Sequence, residues 1–353
     1  MRTLTVALPG RNYEIQIQRG LLAQAGQLCR QTLPQAGRLF VITDSVAGPL
    51  FQERLRASLA SAGFQVALRV IPAGEQSKCA AQLAQLWEEM MAFGLTRTDG
   101  VVALGGGVVG DLAGFAAATI LRGVDFVQIP TTLLAQVDSS VGGKVAVNLE
   151  RGKNLAGAFW QPRLVLMDPD ALDSLPDPVF ADGMAEVIKY GCIADEDLLR
   201  FLERHASRPQ ITQEIEPVLY TCCNIKRKVV EQDERDTGAR MLLNFGHTLG
   251  HAYELAGRYQ LWTHGQAVAA GMVREAELGV ELGITPPNLA ARIGELTQAF
   301  GLPRDIPCTG RDYAAAIGLD KKGAGEGITL ILPDRPGHAI RYPMGKQALL
   351  DLL

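Results

Sequence analysis

The chain has 353 residues, enough for two domains of ordinary size. Hydrophobic residues make up 47% of it and charged residues 20%, a balance that excludes wholesale disorder. The formal net charge is −4, so no basic excess is available to hold a nucleic-acid backbone. Composition therefore favours a globular protein and argues against nucleic acid as a partner.

The first half of the chain alternates predicted strands with predicted helices. We expect a β-hairpin over residues 3–18 and strands over Arg38–Asp44, Phe64–Ile71, Gly100–Leu104 and Asp125–Ile129. Helical periodicity occupies the segments 49–60, 80–93 and 108–121. This order predicts βαβ units and a parallel sheet with helices on both faces.

The second half is mainly helical in pattern. Prolines cluster between Pro162 and Pro178, and helices are predicted beyond them at 181–206, 211–232, 246–257, 265–283 and 288–300. Two late strands, Ile328–Leu332 and 338–342, are the exceptions. We therefore predict an α/β domain over residues 1–175 and a mostly α-helical domain over 176–353. Ligands commonly bind between domains, so we expect the chemistry there.

The N-terminus and the cysteines both indicate the cytoplasm. The opening residues, MRTLTVALPGRN, lack the apolar stretch and the cleavage site of a signal peptide. The six cysteines show neither CxxC spacing nor a disulfide framework, which is typical of reduced thiols. The stretch from Val101 to Ile120 carries one charge, Asp111, but residues 105–107 are all glycine. A strand, a glycine turn and a buried helix explain it better than a membrane span.

The glycine turn at 105–107 follows a strand predicted to end at Leu104. In an open α/β sheet, ligands bind beyond the carboxyl ends of strands, where glycines let the backbone approach a pyrophosphate. Neighbouring strand ends carry the polar segments Gly74–Lys78 and Thr131–Thr132. The pattern is not the GxGxxG fingerprint, and a purely structural turn is the alternative. Three polar strand ends together suit a dinucleotide.

Three of the five histidines lie between positions 247 and 264. His247 and His251 are spaced i, i+4 and share one helix face, while His264 follows near the start of the next helix. With a carboxylate, such histidines could hold a metal and leave a coordination position open, although a structural pair is the alternative. Glu186 is the candidate carboxylate; with Lys189 it could instead form a simple i, i+3 surface pair.

Basic side chains near the glycine turns and histidines suggest a small, multiply anionic substrate. Lysine and arginine are natural partners of phosphate and carboxylate groups. For any single one of them, a solvated charged face is the alternative. The residues concerned are Lys144, Lys153, Lys226, Arg240, Lys321 and Lys322, accompanied by Asn154 and Asn244.

Seven segments resemble the 3-dehydroquinate synthase family, and they follow the family's order over most of the chain. They are AGEQSK at 73–78, LGGGVVGD at 104–111, IPTTLLAQVDSSVGGK at 129–144, GKN at 152–154, AEVIKYG at 185–191, NFGHTLGHA at 244–252 and HGQAV at 264–268. The resemblance implies a Rossmann-like, NAD-binding α/β N-terminal domain, a mostly helical, metal-binding C-terminal domain, and a homodimer.

The resemblance also implies roles for individual residues. Glu186, His247 and His264 correspond to the family's ligands of a divalent metal, zinc or cobalt. The NAD contacts would be Asp44, Gly74, Glu75, Lys78, Gly106, Gly107, Val108, Asp111, Thr131, Thr132, Lys144, Lys153, Leu172 and Ser174. The substrate contacts would be Asp138, Lys144, Asn154, Lys189, Lys226, Arg240, Asn244, His251 and Lys322, with Arg122 reaching the partner subunit's site.

The implied reaction is that of a lyase of the shikimate pathway, which leads to the aromatic amino acids. A ring alcohol of 3-deoxy-D-arabino-heptulosonate 7-phosphate is oxidised transiently with NAD, and phosphate is eliminated. The ketone is then reduced again, and an intramolecular aldol closure gives 3-dehydroquinate. The alternatives are another sugar-phosphate cyclase, which makes an aminocyclitol precursor or a valiolone, and a metal-dependent polyol dehydrogenase. A noncatalytic NAD-binding protein is the alternative from a different class.

Overall fold

The structure, a computed structural model, describes residues 1–319 and 327–353. The chain divides into two units. The first comprises Met1–Leu175 and Lys226–Glu231, and the second comprises Pro176–Ile225 and Gln232–Leu353. The grouping of Lys226–Glu231 with the first unit was not anticipated, because these residues lie inside an uninterrupted helical pattern.

Nine strands form in the first unit. They are β1 (Arg2–Val6), β2 (Tyr13–Ile17), β3 (Arg38–Asp44), β4 (Gln65–Ile71), β5 (Gly100–Gly105), β6 (Asp125–Pro130), β7 (Lys144–Leu149), β8 (Gly152–Phe159) and β9 (Leu164–Met167). Seven of them make one sheet in the order β1-β2-β9-β6-β5-β3-β4. Its neighbours are parallel except for the β1–β2 hairpin, and β7 and β8 form a separate antiparallel pair.

The predicted hairpin and parallel sheet are confirmed, but β7, β8 and β9 were not predicted. The β7–β8 segment is rich in glycine and polar residues, so its alternation of apolar and polar residues is weak. The strand β9 has four residues and lies near the proline cluster. Proline lacks the N–H group that a strand interior uses for pairing, so nearby prolines weaken the prediction of a strand. Pairing with distant strands, rather than local preference, forms these elements.

Helices cover both faces of the large sheet, as the parallel arrangement requires. They are α1 (Ala25–Thr32), α2 (Ala47–Ser61), α3 (Ala80–Ala92) and α4 (Gly107–Thr119). Alternate residues of β3 point to opposite faces: Phe40 and Ile42 pack in the cluster that contains α3 and α4, and Leu39 and Val41 pack in the cluster that contains α1 and α2. The Rossmann-like α/β prediction is therefore confirmed, although α1 was missed.

The order of the strands creates a switch point in the sheet. β3 pairs with β4 on one side and with β5 on the other, so the chain crosses over β3 between them. Ligands of open α/β sheets bind at the carboxyl ends of strands where the winding direction reverses. Asp44 ends β3 and Gly105 ends β5, which locates this crevice at the glycine turn.

The described part of the second unit is mostly helical, with one hairpin. Its elements are α5 (Asp177–Ala194), α6 (Glu196–Arg204), α7 (Arg208–Gln213), α8 (Ile215–Gln232), α9 (His247–Ala256), α10 (His264–Glu281), α11 (Pro287–Ala299), α12 (Gly310–Leu319), β10 (Gly327–Arg335), β11 (His338–Gly345) and α13 (Lys346–Leu352). Residues 226–231 of α8 belong to the first unit. The antiparallel pair β10–β11 confirms the two predicted late strands.

The prediction of a single helix over 181–206 was wrong. The chain breaks at Asp195, whose backbone is extended and whose carboxylate accepts the N–H of Leu198 at 2.8 Å. An aspartate that caps a new helix start satisfies N–H groups that would otherwise lack a partner. The hydrophobic periodicity continues across the break, which is why the sequence pattern did not reveal it.

The apolar stretch from Val101 to Ile120 forms β5 and α4, as predicted. Within the described residues, the structure contains no helix that is both long and apolar enough to cross a membrane. All six cysteines lie in the described part of the chain, and no disulfide joins any of them.

Candidate active site

The glycine turn of the first unit connects β5 directly to α4. A Cβ atom at Gly105 would lie 2.6 Å from a methyl group of Val109, and one at Gly106 would lie 3.1 Å from the methyl group of Thr132. The N–H of Thr131 donates to the carbonyl oxygen of Gly105 at 3.0 Å. None of the described side chains caps α4. The turn therefore presents bare backbone at the positive end of a helix dipole, which suits an anion.

Lys78 joins two carboxylates beside this turn. Its Nζ lies 3.0 Å from Oδ2 of Asp111 and 3.4 Å from Oε1 of Glu75. Burial acts to lower the pKa of Lys78, but Asp111 and Glu75 outweigh it and raise that pKa. Asn148 donates through Nδ2 to Glu75 at 2.8 Å and accepts the backbone N–H of Asn154 at 2.9 Å. These five residues form one polar network.

Asn148 was missed by the sequence reasoning. The available signal was an amide residue at the end of the apolar alternation in β7. Its backbone N–H donates to the carbonyl oxygen of Lys78 at 2.8 Å, so β7 lies against the segment that follows β4. That pairing is what brings Glu75 and Asn154 into the same network.

Other residues expected to contact NAD have local partners. Asp44 accepts the N–H groups of Val46 and Ala47, both at 2.8 Å, at the start of α2. The Ser174 hydroxyl donates to a carbonyl oxygen within its own turn at 2.8 Å, and Leu172 is buried. Of the other expected contacts, Gly107 and Val108 begin α4, Lys144 begins β7, and Lys153 lies on β8. Gly74, which precedes Glu75, has a positive φ of 112°.

Lys226 and Asp138 form a close pair within the first unit. The buried Lys226 Nζ lies 2.7 Å from Oδ1 of Asp138 and donates to the carbonyl oxygen of the same residue at 2.6 Å.

Arg122 is exposed, and its φ of 68° follows a φ of 50° at Leu121. A positive φ is uncommon for such side chains, so this turn is held in a strained form.

Three side chains of the second unit meet at one point. Glu186, His247 and His264 each offer one ligand atom, and these atoms lie within 4.8 Å of one another. Nε2 of His247 is 3.5 Å from Oε1 of Glu186, and Nε2 of His264 is 3.7 Å from the same oxygen. His251 lies outside this group: it is exposed, and its ring meets that of His247 edge-on with 5.7 Å between centroids.

The electrostatics of this group suit a cation. Burial, aided by Lys189, lowers the pKa of His247 to about 3, which keeps its imidazole neutral as a metal ligand must be. Burial also acts to lower the pKa of His264, but Glu186 and Glu254 outweigh it and raise that pKa to about 10. The carboxylate of Glu186 that favours the charged form of His264 faces its Nε2, so a divalent cation bound between that nitrogen and Glu186 would meet the same negative charge. Two imidazoles and one carboxylate are a donor set typical of zinc.

Residues of α10 hold the start of α9, the helix that carries His247. Gly246 has a φ of 77°, and a Cβ there would lie 2.4 Å from Cγ of Met272. The carboxylate of Glu275 accepts the N–H of Gly246 at 2.8 Å and that of Leu249 at 3.2 Å. Glu275 is completely buried, and burial raises its pKa to about 8. The sequence reasoning missed this residue, since no distinctive spacing sets it apart from Glu277 and Glu281 of the same helix.

A loop before α9 positions the predicted substrate contact Arg240, and the predicted contact Asn244 ends the short helical turn Ala239–Asn244 that follows this loop. Asp233 accepts the backbone N–H groups of Thr237 at 2.8 Å, Gly238 at 2.7 Å and Arg240 at 3.0 Å. The buried Arg240 donates to a backbone carbonyl oxygen of the same loop at 3.1 Å. Asp233 was also missed in the sequence.

Two further substrate contacts were expected in the second unit, Lys189 and Lys322. Lys189 makes a buried ion pair with Glu186, so these two residues are not the surface pair that was the alternative. Lys322, and its neighbour Lys321, lie outside the described residues.

Comparisons with known proteins agree over nearly the whole chain. The family described as 3-dehydroquinate synthase N-terminal matches residues 68–182, and the family described as 3-dehydroquinate synthase C-terminal matches residues 183–323. A 3-dehydroquinate synthase of Clostridium botulinum is 44% identical over 340 residues, which cover 96% of this chain and 97% of that protein.

Two solved structures have the same fold. A 2-deoxy-scyllo-inosose synthase complexed with carbaglucose-6-phosphate, NAD⁺ and Co²⁺ is 25% identical with a TM-score of 0.88, and 99% of each chain is covered. A 2-epi-5-epi-valiolone synthase of Streptomyces hygroscopicus with NAD⁺ and Zn²⁺ bound is 27% identical with a TM-score of 0.88, and the match covers 98% of this chain and 96% of that one.

The fold is that of the sugar-phosphate cyclases, and the second unit contains a group of two histidines and a glutamate that could hold a metal. Identity is much higher to the synthases that make 3-dehydroquinate than to the other two cyclases. The chain belongs to the 3-dehydroquinate synthase family, which is a family of lyases in the shikimate pathway.

Proposed function

We propose that this chain converts 3-deoxy-D-arabino-heptulosonate 7-phosphate to 3-dehydroquinate and phosphate, with NAD and one divalent metal as cofactors. The observation that carries the proposal is the likeness to 3-dehydroquinate synthases over nearly the full length of both chains. The meeting of Glu186, His247 and His264 supports the metal. We also propose that the protein is cytoplasmic and forms a homodimer, and light scattering of the purified protein would test the oligomeric state.

Residues of the second unit would hold the metal. Glu186, His247 and His264 would be its protein ligands, and His251, beside His247, would contact the substrate instead. A divalent metal held there would polarise a substrate hydroxyl, and bound NAD would supply the acceptor for a hydride from the carbon that carries this hydroxyl. Lys189, ion-paired with Glu186, would place its ammonium group near the same hydroxyls.

Residues of the first unit would hold NAD. The bare backbone at Gly106 and Gly107 would bind the pyrophosphate, because the start of α4 offers N–H groups and a positive dipole end. Glu75 would accept hydrogen bonds from ribose hydroxyls, with its orientation held by Lys78 and Asn148. The hydroxyl groups of Thr131 and Thr132 and the ammonium groups of Lys144 and Lys153 would add further polar contacts.

Cations would select the anionic substrate. Arg240 and Lys226 are both buried, and guanidinium and ammonium groups are natural partners of carboxylate and phosphate groups. Lys226 forms an ion pair with Asp138, and the guanidinium group of Arg240 is oriented by its hydrogen bond to a backbone carbonyl oxygen of its loop. A substrate that carries both a carboxylate and a phosphate supplies more such partners than the neutral-ended substrates of other cyclases.

Phosphate release from the heptulosonate phosphate tests the proposed function. We expect release that requires NAD⁺, stops with a chelator and resumes on addition of Zn²⁺ or Co²⁺, without net change in absorbance at about 340 nm because the cofactor is regenerated. Net accumulation of NADH would instead indicate a polyol dehydrogenase. Release only from substrates without a carboxylate would indicate another cyclase.

A further inference from the structure

The two histidines of the metal group face Glu186 in the same way. Each turns Nε2 toward that carboxylate and Nδ1 toward another oxygen atom. For His247 the second oxygen is the main-chain carbonyl of Phe245, at 3.1 Å. For His264 it is Oε1 of Glu254, at 3.6 Å. A main-chain oxygen holds one ring, and a side-chain carboxylate lies beside the other.

Glu254 is a buried residue of α9. It lies on α9, seven residues after His247 and therefore on the same face of the helix. It is only 4% exposed, and a carboxylate that is buried to this extent needs polar partners to offset its desolvation. Its neighbour Tyr253 is also buried and accepts a hydrogen bond from the hydroxyl group of Tyr313 of α12 at 3.1 Å.

His264 needs such a partner more than His247 does. The His264 side chain is 33% exposed, whereas that of His247 is 15% exposed, so packing confines the first ring less. The backbone at His264 is fixed by the hydrogen bonds between Thr263 and Gln266 that cap α10. Those bonds determine where the ring is attached but not how it is turned.

We propose that Glu254 is a positioning residue that orients His264 for metal binding. The inference rests on the proposed metal ligation by Glu186, His247 and His264. A carboxylate facing Nδ1 keeps the proton on that nitrogen and leaves the lone pair of Nε2 directed at the metal. The negative charge also makes the imidazole a stronger donor, as carboxylate partners of metal-bound histidines do in other proteins.

The alternative is a purely structural role, in which Glu254 ties α9 to the start of α10. Both roles predict some loss of stability when Glu254 is replaced. Only the positioning role predicts a change in the metal site of a protein that remains folded. Metal affinity and the visible spectrum of bound Co²⁺ therefore separate the two roles.

The test compares Glu254→Ala and Glu254→Gln with the wild-type chain. Zn²⁺ affinity is measured by competition with a chelator, and thermal unfolding is followed in EDTA. We expect Glu254→Ala to bind Zn²⁺ ten- to a hundred-fold more weakly, within the range found for such partners, and to change the Co²⁺ spectrum. Glu254→Gln keeps a side-chain oxygen that can face Nδ1 but removes the negative charge, so we expect its Zn²⁺ affinity to fall less and its Co²⁺ spectrum to lie closer to that of the wild-type chain. The matched control is Glu277→Gln, which changes a half-exposed glutamate of α10. We expect it to leave the Zn²⁺ affinity and the Co²⁺ spectrum unchanged.

Wild-type Zn²⁺ affinity and an unchanged Co²⁺ spectrum in both Glu254 variants would overturn the inference, even if their unfolding temperatures fell. If Glu254→Ala does not fold, the result for Glu254→Gln decides, because that side chain has the same shape. His264→Ala is included as a third variant. If it binds metal as the wild-type chain does, the ligand assignment fails and the inference fails with it. A defect confined to the Glu254 variants' activity, with normal metal binding, also contradicts the inference.

Discussion

Glu275 of α10 accepts the backbone N–H of Gly246, which immediately precedes His247, at 2.8 Å. A completely buried carboxylate thus holds the start of the helix that carries a metal-group histidine. The contact satisfies N–H groups that a helix start leaves without intrahelical partners. It also places a carboxyl group where burial strongly opposes its charged form.

Glu275 makes stability depend on pH. Its pKa is raised from 4.5 to about 8 in the folded state, so between these values the folded chain binds more protons than the unfolded chain. The contribution of Glu275 to the free energy of unfolding therefore falls as pH rises through this window, by at most about 1.4 kcal/mol per pH unit. Glu275→Gln removes this contribution. Urea unfolding in EDTA across the window should show the difference between the two proteins changing with pH; a constant difference would contradict the prediction.

His247 and His251 have different roles despite their shared helix face. Replacing His247 with alanine should remove both metal and activity, because its Nε2 is one of the three converging ligand atoms. His251→Ala should retain the metal and lose activity. Metal content of the purified variants, measured by mass spectrometry, checks both outcomes. A His251→Ala protein that purifies without metal would show that the ligand assignment is wrong.

Asn148 should contribute to NAD affinity although it was not expected to contact NAD. Asn148→Ala breaks the hydrogen bonds to Glu75 and to the backbone of Asn154. The loss of orientation is expected to weaken NAD⁺ binding by about two- to ten-fold, the equivalent of one hydrogen bond. Calorimetric titration measures this change in affinity, with Gln85→Ala, at an exposed position of α3, as the control. Equal NAD⁺ affinity in the two variants would sink the prediction.

Asp233 should act on substrate binding through Arg240. Its backbone partners, Thr237 first among them, hold the pKa of the Asp233 carboxyl well below its usual range. The carboxylate is thus charged at neutral pH, and its stabilising effect is lost only as pH falls below its ordinary value of 3.8. Asp233→Asn should destabilise the chain by about 1–3 kcal/mol and raise KM more than it lowers kcat.

Steady-state kinetics and urea unfolding check the Asp233 prediction. Arg235→Gln, an exposed change in the same loop, is the control and should leave KM unchanged. An unchanged KM in a destabilised Asp233→Asn protein would show that the loop does not direct Arg240 toward the substrate.

The local sequence pattern was sufficient to predict most strands of the first unit and its glycine turn. The alternation in β1 and β2, the apolar runs of β3 to β6 and the glycine turn all depend on neighbouring residues, and each was predicted close to its observed bounds. Glu186, far upstream of the histidines, was already the candidate carboxylate from its own segment, and the resemblance of motifs then implied that Glu186, His247 and His264 are the ligand set. Helical spacing by itself favoured His247 with His251, whereas the ligand atoms that converge belong to Glu186, His247 and His264.

Contacts between distant segments determined which polar side chains meet. Asn148 joins Glu75 because β7 lies against the segment after β4, and Glu254 faces His264 because α9 packs on α10. Lys226 reaches Asp138 because part of α8 belongs to the first unit. Periodicity reports which face of one element is apolar, since it arises from the geometry of a single helix or strand. Which polar groups converge depends on how several elements pack, and the partners come from remote parts of the chain.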